Sequence, residues 1–127
     1  MNTAPRKSIL LVEDNAEARE SLALALEIQG YEVRQAENGM IAVDMVRNAA
    51  PDVVIADLLM PLMDGVELAR SLRAQHGQRI RLIALTGLSP QKTLGPSREA
   101  GFDYYVQKPI GGEDLVPYIE NEIYRDE

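Results

Sequence analysis

The chain has 127 residues, 46% of them hydrophobic and 26% charged, which is the size and make-up of one soluble globular domain. Its net charge of −7 argues against a nucleic-acid grip by this domain itself, which would want a basic face. It has no cysteine, which excludes disulfides, thiolate metal sites and cysteine nucleophiles.

In chain order, residues 1–7 read as a basic N-terminal extension. The first apolar run, "ILLV" (9–12), is too short for a signal peptide or a membrane span, so a cytoplasmic protein without membrane association is expected. Such an all-apolar run suits a strand covered on both faces. Glu13 and Asp14 follow it. Residues 15–29 are mostly Ala, Leu and Glu, and Gly30 closes them as a helix C-terminal glycine. Leu22, Leu24, Leu26 and Ile28 alternate like a strand there, but length and propensity decide for helix. "YEVRQA" (31–36) reads as a mixed edge strand and 38–50 as a second helix. "VVIA" (53–56) is a buried strand that ends in Asp57, and 65–77 is a third helix with His76 solvated at its end.

"LIAL" (82–85) is the next buried strand, followed by Thr86 and Gly87. A helix starts well at Ser89 and Pro90, but Gly95–Pro96 interrupts it. The proline lacks a backbone donor and pushes the residue before it out of helical geometry, so this helix is expected to be short, broken or mobile. "DYYVQ" (103–107) is a second mixed strand, followed by Lys108 and Pro109. In the last helix Leu115, Tyr118, Ile119 and Ile123 share one face. The folded body spans 8–124, with a tail at 125–127.

Alternating strands and helices joined by right-handed crossovers give a five-stranded parallel sheet with helices on both faces. With the all-apolar strands inside and the mixed ones at the edges, the strand order is 2-1-3-4-5, an α/β fold of the flavodoxin-like type. Ligands of such folds bind beyond the carboxyl ends of the strands. There the fold would gather Glu13, Asp14, Asp57, Thr86, Gly87 and Lys108. Three close carboxylates repel one another, and a hard divalent cation relieves this; oxygen-only donors describe Mg²⁺ better than zinc. Mg²⁺, a lysine and a hydroxyl around one carboxylate suit the stabilisation of a phosphoryl group, with Asp57 as an unpaired nucleophile that forms an aspartyl phosphate. Singly, each residue has a plainer reading: Asp57 starts a turn, and Asp14 with Glu17 forms a helix capping box. Their joint placement carries the functional reading.

The pieces "ILLVEDN", "VVIADLLMPLMDG", "IALTG" and "AGFDYYVQKPI" resemble the receiver (REC) domains of bacterial two-component response regulators, from about residue 8 to 124. The resemblance implies that Asp57 accepts a phosphoryl group from a histidine kinase or histidine phosphotransfer protein. It implies Mg²⁺ held by Glu13, Asp14, Asp57 and the Leu59 carbonyl, with Lys108 on the phosphoryl oxygens and help from the amides of Leu59 and Gly87. Thr86 and Tyr105 would be the switch residues that change a surface for a downstream protein target. The Lys108–Pro109 bond would be cis. A homodimer is one expected output, but its usual surface includes the interrupted helix.

Leu59 and Leu88, two residues beyond Asp57 and Thr86, are apolar where relatives with a short-lived phosphoryl group carry polar side chains; slow self-dephosphorylation is expected. Three other readings compete. A haloacid dehalogenase-type phosphatase wants an Asp where Leu59 stands, and an FMN binder would not place "VEDNAE" against a phosphate. A receiver-fold module that signals without phosphorylation would not need the full acidic set with Lys108. The chain could be a stand-alone receiver or a piece of a larger kinase or regulator.

Overall fold

The computed structural model describes residues 7–60, 63–87 and 100–121. Five strands, β1 (Ser8–Val12), β2 (Glu32–Ala36), β3 (Val53–Asp57), β4 (Arg81–Thr86) and β5 (Tyr104–Gln107), form one sheet. All its pairings are parallel and its order is β2-β1-β3-β4-β5, as the apolar and mixed runs imply. Four helices are described: α1 (Ala16–Ile28), α2 (Gly39–Asn48), α3 (Gly65–His76) and α4 (Gly112–Ile119). The interrupted helix expected over 89–101 falls almost wholly outside the described residues, as do Ile123 and Leu88.

Strand alternation sends each central strand into two cores. Leu10, Val12, Val54, Ala56, Leu82 and Ala84 pack with Ala42 and Val46 of α2 and Leu68 and Leu72 of α3. Ile9, Leu11, Ile55, Ile83 and Leu85 pack on the other face with Ala23 and Leu26 of α1 and Leu115 and Ile119 of α4. Each Leu, Ile or Val among them contributes about 1.5–3 kcal/mol by leaving water. The alternating leucines of α1 resolve accordingly: Leu26 is buried, while Leu24 and Ile28 are exposed. Gly30 has φ of 103°, the left-handed geometry that ends α1. Pro117 lies inside α4.

At the amino end of the sheet Arg73 of α3 acts as a bolt. Its guanidinium donates to the carbonyls of Gly101 (3.0 Å), Gly77 (2.9 Å) and Ile80 (2.6 Å) and to the Asp103 carboxylate (2.9 Å). Asp103 also accepts from the Leu82 amide at 2.8 Å, so α3, β4 and the start of β5 are fixed together. His76 is not simply solvated: its Nε2 is buried and has no hydrogen-bond partner among the described residues.

At the carboxyl end, α3 starts in a capping box in which Asp64 accepts from the Glu67 amide and Glu67 accepts from the Asp64 amide. Gly65 then approaches the end of β3. Its amide donates to the Leu58 carbonyl at 3.1 Å, and a Cβ there would lie 2.7 Å from the Asp57 carbonyl oxygen. Gly65→Ala is therefore expected to destabilise the domain by about 1–3 kcal/mol through overpacking against backbone that cannot yield. Urea unfolding of the two proteins checks this.

Candidate functional site

The register of the sheet brings the strand-end residues together. Val12 pairs with Ala56 and Asp57 with Leu85, so Glu13, Asp57 and Thr86 leave the sheet at one level. All three are buried. Asp14, one residue beyond Glu13, is exposed. Carboxylate oxygens of Glu13, Asp14 and Asp57 lie within 4.8 Å of one another. Lys108 reaches the same point from the end of β5, where its amide donates to the Thr86 carbonyl at 2.7 Å and its bond to Pro109 is cis.

Asp57 is not the bare carboxylate that its apolar neighbours suggest. Lys108 Nζ donates to its Oδ2 at 2.6 Å, and the Leu59 amide donates to its Oδ1 at 3.0 Å. Both oxygens are thus fixed, one by a side chain from across the sheet and one by the turn that follows the strand. Lys108 also donates to Glu13 Oε1 at 3.1 Å. The other Glu13 oxygen accepts from the Asn15 amide at 3.0 Å. The Glu13 carbonyl is held by Arg19 at 2.9 Å, and Arg19 also donates to Gln35.

Asn15, rather than Asp14, caps α1, its side chain accepting from the Ala18 amide at 2.9 Å. The capping-box alternative for Asp14 and Glu17 is thereby corrected: an uncharged residue satisfies the helix end. Asn15 and Arg19 were passed over in the sequence. The run of N-cap type, "EDNAEAR", held the signal for Asn15, whereas nothing local marks Arg19.

The charges do not balance. Burial pushes the Asp57 carboxyl above its ordinary value of 3.8; Lys108 and the Leu59 amide pull it back without offsetting this, and Glu13 adds to the rise. Burial disfavours the Lys108 ammonium, but hydrogen bonds and attraction to Asp57 and Glu13 outweigh it and raise that group. One lysine therefore satisfies itself at this site without satisfying the carboxylates. The donors are all oxygens and still hold uncompensated negative charge, which fits a hard divalent cation such as Mg²⁺.

The remaining expected residues are close by. Thr86, at the end of β4, is two residues beyond the partner of Ala56 and next to Gly87. Leu59 is 63% exposed beside Asp57. Tyr105 is half-buried on β5, its ring meeting Phe102 edge-on at 6.0 Å.

The response regulator receiver domain family model matches residues 9–120. The chain belongs to this receiver domain family. It is 37% identical over 108 residues to response regulator MprA of Mycobacterium sp. (strain KMS), which covers 85% of this chain and 46% of that protein. The chain thus spans about half the length of the curated relatives it matches. Chemotaxis protein CheY4 of Vibrio cholerae superposes with a TM-score of 0.85 at 28% identity, covering 94% of this chain and all of that one. The receiver domain of a sensor histidine kinase from Pseudomonas aeruginosa PAO1 does so with a TM-score of 0.84 at 30% identity, covering 92% and 97%. That protein carries a magnesium ion coordinated in its active-site cleft. Receiver domains are signalling modules of two-component systems rather than conventional enzymes. Among the described residues no helix is long and apolar enough to cross a membrane.

The raised Asp57 value has a consequence for the metal-free receiver. A carboxyl whose folded-state value lies above its unfolded one favours folding below the unfolded value, and that contribution is lost as pH rises through the folded value. Asp57→Asn removes the penalised charge and leaves Lys108 paired with Glu13. In chelator, the variant should be more stable than wild type at about pH 7, with the gap narrowing toward about pH 4 as the wild-type carboxyl takes up its proton. Urea titrations at the two pH values check this.

Proposed function

We propose that Asp57 is the phosphoacceptor of this receiver and that it takes a phosphoryl group from a phosphohistidine of a histidine kinase or phosphotransfer protein. The observation that carries this is the carboxylate itself: buried, raised above its ordinary value, and held by one lysine and one amide. An Asp57 oxygen attacks phosphorus as the phosphorus–nitrogen bond of the donor breaks and its electron pair returns to the imidazole ring. Lys108 neutralises charge on the phosphoryl oxygens, and the Leu59 and Gly87 amides donate to them.

Glu13, Asp14, Asp57 and the Leu59 carbonyl would hold Mg²⁺, which when bound supplies positive charge against the phosphoryl oxygens. The charge deficit around Asp57 supports that donor set. The domain acts only on its own aspartate, and its output is conformational. Thr86 hydrogen-bonds the new phosphoryl group, Tyr105 follows, and a pre-existing equilibrium shifts toward the form that a downstream protein binds.

Intact mass after incubation with acetyl phosphate and Mg²⁺ tests the reading. One phosphoryl group should add to wild type, none to Asp57→Asn, and chelation should abolish the addition. No addition to wild type with its fold intact would favour a module that works without phosphorylation.

Leu59 stands exposed beside the acceptor and brings no group that could orient water. Leu59→Asn should shorten the phosphoryl lifetime about tenfold, less than the roughly hundredfold or more that a fully positioned proton-transfer group provides. Time-resolved intact mass after donor removal checks this, and equal or slower loss from the variant would remove Leu59 from the account.

A further inference from the structure

Every polar group of Glu13 has a partner, and the partners come from different parts of the chain. Its amide donates to the Ala36 carbonyl of β2 at 3.1 Å. Its carboxylate accepts from Lys108 on one oxygen at 3.1 Å and from the Asn15 amide on the other at 3.0 Å. Its carbonyl accepts from Arg19 Nη1 at 2.9 Å. Arg19 stands in the first turn of α1, where its own amide donates to the Asn15 carbonyl at 2.9 Å. Its Nε donates to Gln35 Oε1 on β2 at 3.1 Å. One half-buried arginine thus bridges the edge strand and the turn that carries Glu13 and Asp14.

The Glu13 carbonyl belongs to the peptide unit that leads into Asp14, and such a unit is planar. Holding its oxygen therefore fixes the direction in which Asp14 leaves the strand end. Asp14 has the most to gain from this. Glu13 and Asp57 are buried and tied at both carboxylate oxygens, whereas Asp14 is exposed. We propose that Arg19, braced by Gln35, is a positioning residue for divalent-cation binding, orienting Asp14 through the peptide plane. This rests on the donor set of Glu13, Asp14 and Asp57 given above.

The sign of the effect separates this role from plain electrostatics. A fixed cation near a metal site repels the metal, so if charge alone mattered, removing Arg19 would tighten binding. Loss of positioning loosens it, and groups that orient metal ligands are typically worth about 10–100-fold in affinity. Mg²⁺ demands near-octahedral geometry while Ca²⁺ accepts irregular sites, so a misdirected Asp14 costs Mg²⁺ more.

The experiment measures Kd for Mg²⁺ and, separately, Ca²⁺ by amide NMR titration of the full chain, without a phosphodonor. Arg19→Met keeps the aliphatic stem but removes charge and donors. Arg19→Lys keeps the charge but lacks the planar fork that serves two acceptors at once. Gln35→Met removes only the brace. Arg19→Met should bind Mg²⁺ about tenfold and Ca²⁺ about threefold more weakly than wild type. Arg19→Lys and Gln35→Met should fall between Arg19→Met and wild type for Mg²⁺. Each Kd is read on folded protein, so a loss of stability alone leaves it unchanged.

Unchanged or tighter Mg²⁺ binding by Arg19→Met, or an equal loss for both ions, would overturn the role and leave the donor set standing. Should Arg19→Met fail to fold, wild-type Mg²⁺ affinity in both Arg19→Lys and Gln35→Met would overturn it equally. No Mg²⁺ binding by folded wild type would overturn the donor set, and the role of Arg19 with it.

Discussion

The constraint on which this domain turns is the placement of one ammonium group, Lys108 Nζ, between the carboxylates of Asp57 and Glu13. Three chain segments far apart in sequence meet there because parallel strands all end on the same side of a sheet. Like charges at such a meeting point are costly in low dielectric, and a single lysine does not cancel them. The rest of the site can be read as ways of holding that imbalance still. The Leu59 amide fixes the other Asp57 oxygen, the Asn15 amide the other Glu13 oxygen, and Arg19 the Glu13 backbone.

The scaffold distributes rigidity accordingly. At the amino end of the sheet Arg73 joins α3, β4 and the start of β5 through four hydrogen bonds. At the carboxyl end, β4 and β5 are joined by the Lys108 amide on the Thr86 carbonyl, and then the chain leaves the sheet. The two ends of the sheet thus differ in how they are tied: by a guanidinium at one, and by main-chain bonds beside the carboxylates at the other. On the phosphoacceptor reading, that asymmetry suits a site whose local charge change moves a strand end without unfolding the strand.

Much of this was legible because burial writes itself into residue type. The runs at 9–12, 53–56 and 82–85 are apolar on both faces and became the three central strands; the mixed runs at 31–36 and 103–107 became the edges. The strand-end residues could be collected into one site because a parallel sheet leaves only one edge for them. Partners that depend on main-chain direction were harder to see. Asp57 looked bare since its neighbours in sequence are apolar, yet its closest neutral donor is the backbone amide of one of those residues, Leu59. Arg19 serves the site through a carbonyl, and His76 is buried at one atom only; neither leaves a pattern of spacing. Gly65 is marked by its turn, but the contact that requires it is with β3 backbone, which no local pattern displays.

Charge also separates two roles that proximity alone would merge. Lys108 gains from this environment, whereas Asp57 loses by it, although they share a 2.6 Å hydrogen bond. A pair formed only for stability would favour both ions. Here the surplus lies on the carboxylate side, which holds three acids against one lysine. A divalent cation would bring that set to neutrality. Replacing the Asp57 charge by a phosphoryl dianion would then add one further negative charge, close to the lysine already in place. On the phosphoacceptor reading, the lysine thus has a task in each state: it steadies the acceptor before transfer and shares the added charge afterward. On that reading the buried imbalance, rather than any single residue type, is what keeps the carboxylate at the end of β3 reactive instead of merely paired.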